Sequence, residues 1–301
     1  MITPPLLKSG DTIGIAATGR KVNIPDIDAS RKIFESWGMR VSTSPHLHSD
    51  AHSYLSGSDS ERISDFQLML DDPDIKAIVC ARGGYGTTRI LDQLDFSSLR
   101  KSPKWIIGFS DITALHLKLF KLGIKSIHGT MPVLFSKLES SSSIESLRSS
   151  LVGESSVISA VASNNNRYGK ATAQIMGGNL SLIVDSIGTS SDPDTHGKIL
   201  VLEEIDEYIY KVDRMLMHLK RAGKLGNLSG LIIGHFTDLK EPELPFGETI
   251  EQVVLGKTSD AHYPIAFNFP IGHENPNLAW VHGSVMTLDV TETGSQLLPV
   301  H

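Results

Sequence analysis

Ser110 stands in the run Lys104-Trp105-Ile106-Ile107-Gly108-Phe109-Ser110-Asp111-Ile112-Thr113. A short apolar strand runs into Gly108, and helical periodicity begins just past the serine: Ile112, Leu115, Leu119 and Leu122 repeat at spacings of 3, 4 and 3. A hydroxyl on such a strand-to-helix turn is exposed. It also lies beside the unsatisfied N–H groups of a helix start, which can hold an oxyanion. That is the setting a nucleophilic serine requires. The same position suits a plain helix cap. Ile112 stands two residues past Ser110, so the pattern is not the G-x-S-x-G elbow.

A serine nucleophile needs a base and usually an acid to orient it. Of twelve histidines, His273 is the foremost candidate, because it follows an apolar run and Gly272 in a loop rich in Gly, Asn and Pro. His128 and His282 each precede a glycine, and His235 follows Ile232-Ile233-Gly234. The acid candidates are Glu203 and Glu204, at the end of the strand pattern Lys198–Glu203. Side chains alternate along a strand, so one of the two can face a given site. Two solvated acids are the bland alternative. Asp111 is a third acid; its carboxylate suits a helix start, and its backbone N–H neighbours the nucleophile.

The run Ala81-Arg82-Gly83-Gly84-Tyr85-Gly86-Thr87-Thr88 also joins a strand to a helix. Its glycines let backbone approach a ligand and aim N–H groups at an anion. It reads either as a phosphate cradle or as an oxyanion donor with Arg82 clamping a carboxylate. It matches neither G-x-G-x-x-G nor the P-loop. Cys80, the only cysteine, ends an apolar strand and reads as buried core rather than as a nucleophile. No H-E-x-x-H and no cysteine cluster is present, so no metal is expected.

The elements that must position these groups are legible. Strand patterns at Thr12–Ala17, Arg40–Ser42, Ile75–Ala81 and 105–108 alternate with helical ones at Ile27–Trp37, from Ser58 to about Leu70, at Gly86–Leu94 and from Asp111. Ser58 and Glu61 form a capping box. Unalternating apolar strands between helices imply a parallel sheet covered on both faces. Composition shifts after Ser136, where Ser140–Ser143 and Asn164–Asn166 flank weakly patterned sequence. The expected organisation is therefore an N-terminal α/β domain over 1–135, a crossing segment over 136–168 holding a helix near Ile144–Leu151, and a C-terminal domain over 169–301. Within the last, helices are expected at Glu207–Arg221 and Thr249–Leu255, and strands at Leu231–Gly234, before His273 and at Ser284–Val290.

With 40% apolar and 21% charged residues, the chain can fill a large core. A net charge of −6 with no basic stripe argues against nucleic acid as a partner. No run reaches membrane-spanning length and the N-terminus has no signal-peptide shape, so a cytoplasmic protein is expected. A single cysteine fits a reducing compartment.

Taken in order, Arg82-Gly83-Gly84-Tyr85-Gly86, Gly108-Phe109-Ser110-Asp111, Met176-Gly177-Gly178-Asn179-Leu180, Val201-Leu202-Glu203-Glu204, Asp213-Arg214-Met215-Leu216 and Gly272-His273 closely resemble the LD-carboxypeptidase family of serine peptidases. That family includes murein tetrapeptide carboxypeptidases and microcin C immunity peptidases. The resemblance implies a Ser-Glu-His triad of Ser110, Glu203 and His273, with Gly84 and Asp111 N–H groups as the oxyanion hole. Arg82, Gly83 and Tyr85 become substrate-contact candidates. It also implies a parallel-sheet α/β domain followed by a smaller β-rich domain, a homodimer, and no metal or cofactor. The implied reaction is release of terminal D-Ala from murein tetrapeptide in peptidoglycan recycling. A peptidyl or aminoacyl nucleotide is the second substrate class, with Trp280 and Tyr85 as platforms for a base. A non-catalytic small-ligand-binding protein is the reading from another class. One departure stands after the histidine: Val281 occupies a position where the family often has Pro, which bears on substrate subclass and leaves the triad intact.

Overall fold

The computed structural model describes residues 1–154 and 157–300. Two compact units divide the chain: Met1–Ser155 with Leu278–His282, and Ser156–Asn277 with Gly283–His301. In chain order the first unit contributes β1 (Thr12–Ala16), α1 (Ile24–Ser36), β2 (Arg40–Thr43), α2 (Asp59–Asp71), β3 (Ile75–Cys80), α3 (Thr87–Ile90), β4 (Trp105–Gly108), α4 (Thr113–Lys121), β5 (Ser126–His128) and α5 (Ser141–Val152). The second unit follows with β6 (Ile158–Val161), β7 (Gly169–Asn179), α6 (Leu180–Asp185), β8 (Ile199–Ile205), α7 (Ile209–Arg221), β9 (Gly230–Thr237), α8 (Ile250–Lys257) and β10 (Ile265–Ala266). The chain then returns to the first unit for β11 (Trp280–His282) and ends in the second with β12 (Val285–Thr291) and β13 (Gly294–Pro299).

The first sheet has the order β11-β5-β4-β3-β1-β2, parallel except for the antiparallel edge β11. Ile13, Ile15, Ile78, Val79, Ile106 and Ile107 are all fully buried, as strands covered on both faces must be. Because β1 leads outward to β2 while β3 leads the other way to β4, the strand order reverses between β1 and β3. Loops diverge at such a reversal and leave a crevice beyond the strands' C-terminal ends. The capping box at Ser58 forms as expected: Ser58 Oγ accepts from Glu61 N at 3.2 Å, and Glu61 Oε2 accepts from Ser58 N at 2.7 Å.

The second sheet has the order β10-β9-β8-β7-β12-β13-β6; its first four strands are parallel and its remaining pairings antiparallel. β7 and β8 pack unusually closely. Gly177 has φ +135°, and a Cβ added there would lie 2.0 Å from the Val201 carbonyl oxygen. Gly177→Ala therefore drives a methyl into the neighbouring strand's backbone, at a cost above about 3 kcal/mol. Thermal unfolding followed by circular dichroism should show a fall in Tm of roughly 8 °C. A wild-type melting curve would overturn the close β7–β8 contact.

The unit boundary falls near Ser155, inside the segment read as a crossing over 136–168. Helix α5 belongs to the first unit and β6 to the second. The single helix expected over Gly86–Leu94 is a four-residue turn, Thr87–Ile90, followed by a 3-10 turn at Leu91–Gln93. The strand expected to lead directly into His273 is shorter, ending at Ala266.

Candidate active site

Ser110 follows β4 and opens a 3-10 turn, Ser110–Ile112, that runs into α4. Its backbone has φ +63°, a left-handed conformation that is uncommon outside glycine and that recurs where a turn must present a functional side chain. Packing over-determines this turn. Behind it, fully buried His116 makes a 2.9 Å hydrogen bond through Nε2 with the Gly108 carbonyl and a 2.8 Å bond through Nδ1 with Ser126 Oγ. Burial pushes His116 down to about 4, so it stays neutral at ordinary pH.

The glycine loop after β3 lies directly against this turn. A Cβ built on Gly83 would be 3.2 Å from Ser110 Cβ and 3.4 Å from the Asp111 nitrogen. Gly84 has φ +101°, open to glycine and costly for other residues. The Asp111 carboxylate is buried and ties the two segments together: Oδ2 accepts from Thr87 N at 3.0 Å and Thr87 Oγ1 at 2.7 Å. Burial, partly offset by these Thr87 bonds, raises its pKa. Asp111 is thus a strut, where a simple helix-start charge was the expectation. Arg62, almost fully buried, adds a second strut by donating to Gly86 O at 2.9 Å and to Thr18 O. Arg82 is half-buried and Tyr85 is exposed.

In the second unit, Glu203 is fully buried near the end of β8, and its Oε2 lies 2.7 Å from His273 Nδ1. A register shift places both Gly234 and His235 of β9 opposite Glu203. Such a bulge re-aims a side chain at a functional site. Glycines make the room: a Cβ on Gly272 would meet Glu203 Cβ at 3.1 Å and Oε2 at 3.2 Å. Asn277 Oδ1 accepts from Gly272 N at 3.0 Å and fixes the histidine loop. Burial opposes the charged form of His273, but the charge and hydrogen bond of Glu203 outweigh it and raise the pKa above the usual histidine value. A neutral His273 whose Nδ1–H is held by Glu203 leaves Nε2 as the basic nitrogen.

Glu204 points the other way and is also buried, which overturns the reading of both acids as solvated. Its carboxylate accepts from Asn179 Nδ2 at 2.9 Å, Ser181 N at 2.8 Å and Ser181 Oγ at 2.6 Å. Asn179 in turn caps α6 through Leu182 N. Asn179, Ser181 and Glu204 therefore form a clamp that holds the start of α6 to β8.

The other histidine candidates lie elsewhere. His128 and His282 are fully buried in the first unit on either side of Trp280, with ring centroids 5.3 Å and 4.7 Å from the indole. His235 is half-buried, and its Nδ1 accepts from Glu274 N at 3.2 Å. Cys80 is buried and its thiol is pushed up to about 12 by desolvation, so it is inert core. Among the described residues, no group of three or more His, Cys, Asp or Glu side chains is disposed to hold a metal ion. No helix among them is long and apolar enough to cross a membrane. His116 and Arg62 stand outside every motif read from the sequence, and Asn179 stands within one without a stated role. For His116 a signal existed, since it falls four residues after Ile112 on the buried stripe of its helix.

Comparison with known proteins gives matches over both units. A profile of the LD-carboxypeptidase N-terminal domain matches residues 13–129, and one of the LD-carboxypeptidase C-terminal domain matches residues 172–288. A probable murein peptide carboxypeptidase of Bacillus subtilis (strain 168) is 33% identical over 299 residues, covering 96% of this chain and 92% of that protein. The crystal structure of muramoyltetrapeptide carboxypeptidase from Oxalobacter formigenes superposes with a TM-score of 0.88 at 28% identity, covering 96% and 99% of the two chains. An MccF-like protein from Bacillus anthracis str. Ames superposes with a TM-score of 0.86 at 25% identity over the whole of both chains.

Proposed function

The chain belongs to the LD-carboxypeptidase family, and on that premise we propose that it releases the terminal D-Ala of murein tetrapeptide through a Ser110-Glu203-His273 triad. The observation that carries this reading is the 2.7 Å bond between buried Glu203 and His273 Nδ1. It is the acid–base half that a Ser-Glu-His triad requires.

In this mechanism His273 Nε2 takes the proton of Ser110 as Oγ attacks the scissile carbonyl. Glu203 holds the imidazole in the productive tautomer and stabilises the imidazolium. The N–H groups of Gly84 and Asp111 receive the oxyanion. His273 then returns the proton to the departing amine of D-Ala. Water, deprotonated by the same histidine, attacks the acyl-enzyme and frees Ser110 and the shortened peptide. No step calls for a metal or cofactor. We place the enzyme in the cytoplasm as a homodimer acting in peptidoglycan recycling.

The murein substrate is favoured over a peptidyl nucleotide by one observation. Trp280, a candidate platform for a base, is only 2% exposed and stacked between two histidines. Of the two aromatic platforms only Tyr85, 51% exposed, is open to a ligand.

The test is D-Ala release from L-Ala-γ-D-Glu-diaminopimelate-D-Ala by wild type and Ser110→Ala. Release by wild type alone supports the reaction and the nucleophile together. No release by folded wild type sinks the murein assignment and turns attention to peptidyl nucleotides. Labelling by a fluorophosphonate that persists in Ser110→Ala would point to a different nucleophile.

A further inference from the structure

Arg62, Arg89 and Arg148 of the first unit are each ion-paired to carboxylates. Arg20 and Arg82, like the Arg31, Arg40 and Arg100 side chains, are not: among the described residues, no carboxylate lies within 4.0 Å of either guanidinium. Yet these two cations sit together. Arg20 follows β1 and lies over the Tyr54 ring, 5.1 Å from its centroid. Arg82 follows β3 and donates from Nη1 to the Lys21 carbonyl at 3.2 Å. Burial first, and then the charge of Arg20, lowers the pKa of Arg82. Asp26 and the Tyr54 phenol are the neighbouring groups that act in the opposite sense.

Two like charges brought together oppose folding, and an anion between them reverses the sign. Their place in the fold fits such an anion. β1 and β3 flank the strand-order reversal of the first sheet, where open α/β sheets bind ligands. They also neighbour the glycine loop. A Cβ on Gly84 would meet Arg20 Cβ at 3.0 Å and the Tyr54 hydroxyl at 3.5 Å, while one on Gly83 would meet Ser110 Cβ at 3.2 Å. Along the loop the order is nucleophile, Gly83, Gly84, Arg20. An exopeptidase must read a free carboxylate one residue beyond the scissile carbonyl, and one residue spans about 3.6 Å at most.

We propose that Arg20 and Arg82 form a two-guanidinium subsite for the substrate's terminal carboxylate, with Tyr54 holding the plane of Arg20. The inference rests on the reading of Ser110 and Gly84 given above. Arg20 is a specificity residue here: it fixes which end of the peptide enters and takes no part in the covalent steps.

The test is calorimetric binding of the tetrapeptide, as free acid and as C-terminal amide, to Ser110→Ala protein with and without Arg20→Gln or Arg20→Lys. The free acid should bind about 30-fold more tightly than the amide, as expected for charge-assisted hydrogen bonds. Arg20→Gln should remove most of that preference by weakening the acid alone. Arg20→Lys should restore part of it, because it keeps the charge and loses the fork. Equal binding of acid and amide, or equal weakening of both by Arg20→Gln, overturns the subsite even if wild type releases D-Ala. Acid preference that depends on Arg20, found together with no D-Ala release by wild type, upholds the subsite and removes the murein reaction instead.

Discussion

Ser110→Ala is expected to lower kcat for D-Ala release by roughly 10⁴- to 10⁶-fold while leaving the protein folded. The chemical loss is total, because alanine has no oxygen to form the acyl-enzyme. What remains is the modest catalysis that oxyanion donors and substrate binding give without a nucleophile. Stability should change little. Ser110 already carries a Cβ at φ +63°, so alanine meets the same backbone strain that serine does. The supports of the turn, His116 on Gly108 O and Asp111 on Thr87, do not involve the hydroxyl. The measurement pairs D-Ala release with a melting curve. A loss under about tenfold with an unchanged Tm would remove Ser110 from the chemistry; a collapsed Tm would make it a structural residue.

Glu203→Gln should cost roughly 10³- to 10⁴-fold in kcat, with its sign legible in the pH profile. The substitution keeps shape and removes charge. A glutamine amide can donate to Nδ1, which stabilises the tautomer that carries its proton on Nε2, the wrong nitrogen for a base. The pH dependence runs through His273. As a base it must be neutral, so kcat/KM rises with pH through its pKa, which stands above the usual histidine value despite burial because Glu203 is charged and hydrogen-bonded to it. Without that charge burial dominates, the pKa falls, and the acidic limb of kcat/KM should move to lower pH even as the plateau drops. A variant with the wild-type plateau would take Glu203 out of the triad. A lowered plateau with an unmoved acidic limb would separate Glu203 from the titration of His273.

Much of this was readable because each motif ends a strand. The apolar runs at 75–81 and 105–108 marked buried parallel strands, and the residues that break them, Arg82-Gly83-Gly84 and Phe109-Ser110, are where a parallel sheet exposes its loops. The choice between Glu203 and Glu204 came from resemblance to a family; alternation alone said only that they diverge. The bulge at Gly234 and His235 of β9, opposite Glu203, is a register feature that spacing does not encode. Short strands were illegible for a related reason. Ser126–His128 and Trp280–His282 have three residues each, too few for a period, and they pair across a separation visible only in three dimensions. The struts were hidden as well. Asp111 and Arg62 look like surface charges by type, and nothing local says that Thr87, Thr18 and Gly86 will enclose them.

The return of Leu278–His282 to the first unit sets an order in time. A ribosome delivers β1 to β5 early, but the strand that covers the edge of β5 arrives only after all of Ser156–Asn277 has been made. Until then the rings of His128 and His116 lack the Trp280 and His282 rings that stack on them in the finished chain. His116 also grips the carbonyl that precedes the Ser110 turn. A nascent chain thus carries its serine on an unfinished sheet, and the sheet is completed only once Glu203 and His273 already exist. Until β11 is made, the β5 edge stands unpaired, the kind of edge that can pair with another chain.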